Sequence, residues 1–209
     1  MILEESEQTR LQAAEIVARV GVVAFRTDTF YGLGANPFNR EAIKRIKAVK
    51  GREATKPILI VVSELDQVAR FISDPSLAFD RLAEKFWPGP LTLIGKATKE
   101  VPDEITAGTK TVGLRLPADD SVRALVRACG GALTATSANP AGKPPARTAR
   151  EVESYFGTTI DLIVDAGEAR SERPSTVVDV SADEPVLIRE GVIAWAEIQK
   201  ELNRDAASG

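Results

Sequence analysis

An alternation of short apolar runs with helix-like stretches is the strongest constraint on the fold. The runs are VVAF (22–25), ILIVV (58–62), LTLIGKA (91–97), TVGLRL (111–116) and ALTAT (132–136), and stretches with helical spacing separate most of them. Apolar runs this short, bounded by turn residues, read as strands. Strands that alternate with helices argue for a layered α/β domain. Further strands are expected at 160–164, 176–180 and 186–189. The connections from 91–97 to 111–116 and from 176–180 to 186–189 carry no evident helix. The expected sheet is therefore twisted and mixed parallel/antiparallel, flanked by helices.

Helix ends are marked as well. Ser6 is placed to cap a first helix whose inner face is Leu11, Ala14, Val17 and Ala18, closed by Gly21. A second spans 39–50, with Ile43, Ile46 and Val49 inward and Gly51 as its stop. Ser63 is expected to open another. Helices over 76–87, halted by PGP, and over 119–129, 148–156 and 194–203 complete the pattern. The polar AGEARSERPS segment (166–175) reads as a loop. The chain shows no repeat, low-complexity run or linker, so residues 1–209 are expected to form a single domain.

Composition narrows the chemistry. A chain that is 44% hydrophobic and 27% charged has the profile of a folded globular protein. Its net charge of -3 does not suit a general nucleic-acid binder. It has no histidine, which removes every Ser-His triad and every histidine-ligated metal site. The single cysteine, Cys129, cannot form an internal disulfide and reads as a packing residue, in keeping with a reducing cytoplasm. No apolar run approaches the roughly 18 residues that span a bilayer. The N-terminus lacks a signal-peptide pattern, so a cytoplasmic location without membrane partners is expected.

Several segments carry candidate chemistry. In RTDTFYGLGANPF (26–38), Thr27 and Thr29 sit at a strand end before Gly32 and Gly34, which fits either a glycine-rich turn or a small polar pocket. Between Arg40 and Lys56 seven cations face two acids. Lys44 and Lys47 suit a solvated helix face. Lys50, Arg52 and Lys56 straddle the helix end before a buried strand, an arrangement suited to polyphosphate. Thr134, Thr136, Ser137 and Asn139 end a strand before a loop bearing Lys143 and Arg147. Ser175 and Thr176 begin a strand, and Arg115 and Arg189 end apolar ones.

The blocks TDTFYGLGA, KGR…KP, FWPGPLT, VGLRLP, TSANPAG, STVVDV and VLIREG occur in order over about residues 8 to 200. In this the chain resembles the YrdC/TsaC family, the threonylcarbamoyl-AMP synthases, in their short form. FWPGPLT (86–92) and SAN (137–139) are the most specific blocks. The resemblance implies a YrdC-like fold with a deep basic cleft. It implies condensation of L-threonine, bicarbonate or CO2, and ATP into threonylcarbamoyl-adenylate and pyrophosphate. Mg2+ would be carried with ATP, with no protein metal site. A threonylcarbamoyl transferase complex would then modify tRNA, and tRNA is a further candidate partner.

By motif position, the resemblance implies that Thr29, Arg115, Ala135 and Ser175 contact threonine. It gives Lys50 and Arg52 to the triphosphate as catalytic residues, and Lys56, Thr111, Ser137, Asn139 and Arg189 to the nucleotide. Arg26, Val61 and Pro145 depart from the family pattern. Two rival readings are a non-catalytic YrdC-like module that binds double-stranded RNA or tRNA, and an enzyme that uses carbamoyl phosphate. The latter enzymes are usually far longer and carry zinc-finger modules.

Overall fold

A computed structural model describes residues 1–51 and 56–204. It contains two mixed sheets where the sequence pattern is read as one. The first runs in the order β1 (Ile2–Glu4), β9 (Leu162–Asp165), β2 (Val23–Arg26), β3 (Tyr31–Gly34) and β8 (Thr136–Ser137). The second runs β11 (Val186–Arg189), β10 (Thr176–Asp179), β5 (Leu91–Lys96), β6 (Thr111–Arg115), β4 (Ile60–Val62) and β7 (Ala132–Thr134). β10 pairs with β5 in parallel, while β5 pairs with β6 and β10 with β11 antiparallel. Both connections read without a helix give antiparallel pairs and the sheet is mixed, as expected, although the first carries a short helix, Asp103–Thr106, where none is evident in the sequence. The split into two sheets is a matter of pairing partners, which hydrophobic periodicity does not encode.

The chain passes between the sheets at Ala135. Thr134, fully buried, accepts a hydrogen bond from Ala35 N at 2.9 Å and donates to Leu33 O at 3.2 Å, tying β7 to the other sheet. Ala135 N donates to Leu59 O at 2.7 Å, and Thr136 then pairs with Leu33 on β3.

Residues 23–34 form a hairpin rather than a glycine-rich turn. Gly32 and Gly34 lie in β3, and the turn is Thr27 to Phe30. A Cβ on Gly34 would come within 2.7 Å of the Phe25 ring, so this glycine serves close packing across the hairpin.

The helices follow their caps. Ser6 accepts from Thr9 N to start α1 (Glu7–Ala18), and Asn39 accepts from Glu41 N and Ala42 N to start α2 (Arg40–Lys50). Gly51 ends α2 with φ +74°, a conformation open to glycine. α3 (Leu77–Phe86), the short α4 (Asp103–Thr106), α5 (Asp120–Ala128), α6 (Ala149–Phe156) and α7 (Trp195–Leu202) complete the set. The inner face of α1 differs from expectation. Thr9, Ala13 and Val17 are buried and Leu11 is 59% exposed, because Ala13 and Val17 pack with Val122, Leu125 and Val126 of α5. Ser63 caps no helix: it is buried, its N–H donates to Gly131 O, and a 3-10 turn begins at Leu65. On α2, Ile43 and Ile46 are fully buried as expected, each worth about 1.5–3 kcal/mol of burial.

Candidate active site

A cavity of about 630 Å³ opens where the sheets face one another. β3 and the 27–30 turn supply one wall, β5, β6, β10 and β11 the opposite one, and the Ala135–Ser137 crossing joins them. Period-2 alternation aims Thr92 and Ile94, Thr111, Gly113 and Arg115, and Ser175 and Val177 inward. Three cations line it, Lys56, Arg115 and Arg189, with no carboxylate among the described lining residues.

Arg115 is 2% exposed. Its Nε donates to Gly89 O at 3.1 Å, its Nη1 donates to Thr29 Oγ1 at 3.1 Å, and its Nη2 forms an ion pair with Asp28. The Thr29 hydroxyl lies 3.1 Å from that of Thr27, which donates to Phe30 O at 2.8 Å. Threonine side chains thus close the hairpin turn and face the cavity together.

Across the cavity, Ser175 Oγ is 3.0 Å from Thr92 Oγ1. Arg189 Nη2 donates to Ser175 O at 2.9 Å and to its hydroxyl at 3.3 Å. Burial lowers the pKa of Arg189, and the nearby Arg115 charge lowers it further. Two guanidiniums held close in a desolvated wall are stabilised by an incoming anion.

The remaining expected residues divide. Thr111, Lys56, Ala135 and Ser137 line the cavity. Lys50 is 4% exposed and borders a small adjoining pocket with Lys56, Pro57 and Ile58. Its Nζ donates to Ser137 O at 2.5 Å and Asn139 O at 3.2 Å, so it braces the Ser137 corner from behind. Asn139 is absent from the lining. Its Nδ2 donates to Lys143 O at 2.6 Å and closes the loop after Ser137, so its placement is that of a support. Arg52 lies outside the described residues. Of the departures, Val61 and Pro145 line the cavity, whereas Arg26 turns away and pairs with Asp119 at 2.7 Å.

Sequence reasoning missed Thr92 and Asp28. Thr92 was legible in principle, since it alternates with Ile94 on a strand that ends the FWPGPLT block. Tyr31 also acts beyond its ring: its hydroxyl donates to Gly167 O at 2.8 Å and so anchors the start of the 166–175 loop, whose end supplies Pro174 and Ser175. Burial, with the Asp165 charge, raises the Tyr31 pKa and keeps it a donor. Burial likewise pushes the Cys129 thiol up to about 12, as suits a packing residue.

The profile of the Sua5/YciO/YrdC family, described as "Telomere recombination", matches residues 15–191. The chain belongs to this family. A family relative from Pyrococcus abyssi named threonylcarbamoyl-AMP synthase is 38% identical over 200 residues, covering 95% of this chain and 59% of that protein. The chain thus spans less than two thirds of that relative's length. A second relative of the same name, from Idiomarina loihiensis, is 34% identical over 170 residues, 80% of this chain and 91% of its own. The crystal structure of P. abyssi Sua5 complexed with L-threonine superposes with a TM-score of 0.93 at 36% identity, over 97% of this chain and 61% of that one.

Proposed function

We propose that the chain is a threonylcarbamoyl-AMP synthase, which joins L-threonine, bicarbonate or CO2, and ATP into threonylcarbamoyl-adenylate and pyrophosphate. The observation that carries this reading is the meeting of two groups in one cavity. Arg115, Thr29 and Ser175 suit a hydroxylated amino acid, and Lys56, Arg189 and Ser137 suit a phosphorylated nucleotide. Relatives that bear this enzyme's name, at 34–38% identity, support it.

In this reading the uncharged threonine amine attacks CO2, a C–N bond forms, and the proton released passes to water. A carbamate oxygen then attacks the α-phosphorus of ATP as the bond to pyrophosphate breaks, which makes the reaction a nucleotidyl transfer. No protein nucleophile is needed, so a chain without histidine suffices. Its residues hold the partners in line and offset the charge that gathers on pyrophosphate. Arg115 takes the threonine carboxylate, Thr29 and Ser175 its hydroxyl, and Ala135 lies at the junction with the nucleotide. Thr111, Lys56, Ser137 and Arg189 take the nucleotide, while Lys50, with Asn139, keeps the Ser137 corner in place. Arg52 is assigned to the triphosphate by its motif.

Mg2+ arrives on the ATP phosphates. The described lining offers hydroxyls and cations, and no group of three or more acidic, histidine or cysteine side chains among the described residues is arranged to hold a metal. A substrate-borne ion with few protein ligands is common for Mg2+. The product is passed to a threonylcarbamoyl transferase complex that modifies tRNA, which makes the protein cytoplasmic. No helix among the described residues is long and apolar enough to cross a membrane.

Mass spectrometry of the product made from ATP, threonine and bicarbonate tests the reading. Threonylcarbamoyl-adenylate is expected, with pyrophosphate released only when all three are present. Tight tRNA binding without any pyrophosphate release would leave the RNA-binding module instead.

A further inference from the structure

We propose that Asp28 is a positioning residue that aims Arg115 at the carboxylate of the amino-acid substrate. The inference rests on the threonine reading above. Arg115 is held at three points of its plane, by Gly89 O on Nε, by Thr29 Oγ1 on Nη1, and by Asp28 on Nη2. Three anchors fix both the plane of the guanidinium and its rotation within that plane. Two of them are neutral, and Asp28 is the one that carries charge.

Asp28 stands behind Arg115. Thr27 and Thr29 line the cavity on either side of it in sequence, and Asp28 does not. Both its carboxylate oxygens are buried, and neither accepts a hydrogen bond from a described residue. The ion pair with Arg115 is therefore what compensates this buried charge. Uncompensated burial of either partner is strongly unfavourable, so each holds the other in place.

The geometry also explains why a charged anchor is needed. Arg189 lines the same wall of the cavity, close enough for Arg115 to act on it as a like charge. Without Asp28, only neutral partners would hold Arg115 against the like charge of Arg189. With Asp28 on Nη2, Gly89 on Nε and Thr29 on Nη1, Arg115 keeps a fixed place in the cavity lining beside Arg189. An incoming carboxylate then meets a fork already set in its plane, and no side-chain ordering is left for binding to supply.

The test is steady-state pyrophosphate release by Asp28→Ala and Asp28→Asn. KM for threonine and for ATP is measured separately, and threoninamide is compared as a substrate that lacks the carboxylate charge. Asp28→Ala is expected to raise KM for threonine by roughly 10- to 100-fold, the worth of a charge-assisted contact. KM for ATP should stay within about twofold and kcat within about threefold of the parent, and the preference for threonine over threoninamide should fall by about tenfold, on the same energy scale. Asp28→Asn keeps the shape and an acceptor for Nη2, so an intermediate KM for threonine is expected, and it decides the matter if the alanine variant does not fold. A folded variant with unchanged KM for threonine and unchanged preference overturns the proposal, as does a parallel rise in KM for ATP. A parent protein with no threonine-dependent release would overturn the functional reading together with it, whereas an active parent with indifferent variants overturns this inference alone.

Discussion

The Lys50 ammonium donates to the main-chain oxygens of Ser137 and Asn139, at 2.5 and 3.2 Å, and fastens the end of α2 beneath the corner that carries Ser137. A lysine that is 4% exposed cannot be read as a solvated helix-end charge. Lys50→Ala is expected to remove two charge-assisted hydrogen bonds to main-chain oxygens and to cost about 1–3 kcal/mol, whereas a surface lysine would cost roughly 0.5 kcal/mol or less. Urea denaturation of the variant decides, and an unchanged midpoint and slope refute the bracing role.

Arg52 is expected to act on the rate. If its fork meets the triphosphate, Arg52→Ala should cut product formation by about 10²–10³. Arg52→Lys should restore only part, because a point donor does not reproduce the paired contact. Near-normal turnover of the alanine variant would remove Arg52 from the triphosphate.

The hydroxyls of Thr29 and Ser175 predict the ranking of amino-acid substrates. Sites built to pair a hydroxyl reject analogues that lack it, because buried polar groups are then left alone. Serine should be accepted better than valine in the pyrophosphate assay. Comparable turnover of valine would refute the hydroxyl contacts.

Mg2+ should be required for turnover yet bind only weakly to the protein without ATP. Calorimetry checks this directly: tight Mg2+ binding to the nucleotide-free protein would show a resident site.

Asp119 predicts an acid limb of stability. Its carboxylate caps α5 and pairs with Arg26. Burial pushes its pKa up, but the Ser121 hydrogen bonds and the charges of Arg26 and Arg170 outweigh this and hold it below the ordinary value of 3.8. A depressed carboxylate stabilises the fold fully above its unfolded pKa and loses that contribution as pH falls through its folded one. Asp119→Asn should therefore be less stable than the parent at neutral pH, and the difference should shrink below about pH 4. Melting temperatures compared from pH 7 to pH 2 measure it, and a constant gap across that range would contradict it.

The sequence by itself determined most of the element types, many of their ends and the family, though not β1, β3 or α4. Local physics is enough for these: Asn39 caps α2, Gly51 leaves it at positive φ, and each short apolar run forms a strand. It also contained the chemistry of the cavity, since Thr29, Arg115, Ser137, Ser175 and Arg189 are visible as polar residues at strand ends. Tertiary structure alone decided the rest. The division into two sheets, the exposure of Leu11 and the strand placement of Gly32 and Gly34 depend on which element lies across from each residue. The same holds for Asp28 and Lys50. Asp28 meets Arg115 from 87 positions away in the chain, and Lys50 meets Ser137 across a separation of 87. A side chain's type is fixed by its codon, but whether a buried charge supports a partner or faces a substrate depends on what the fold brings within about 3 Å of it.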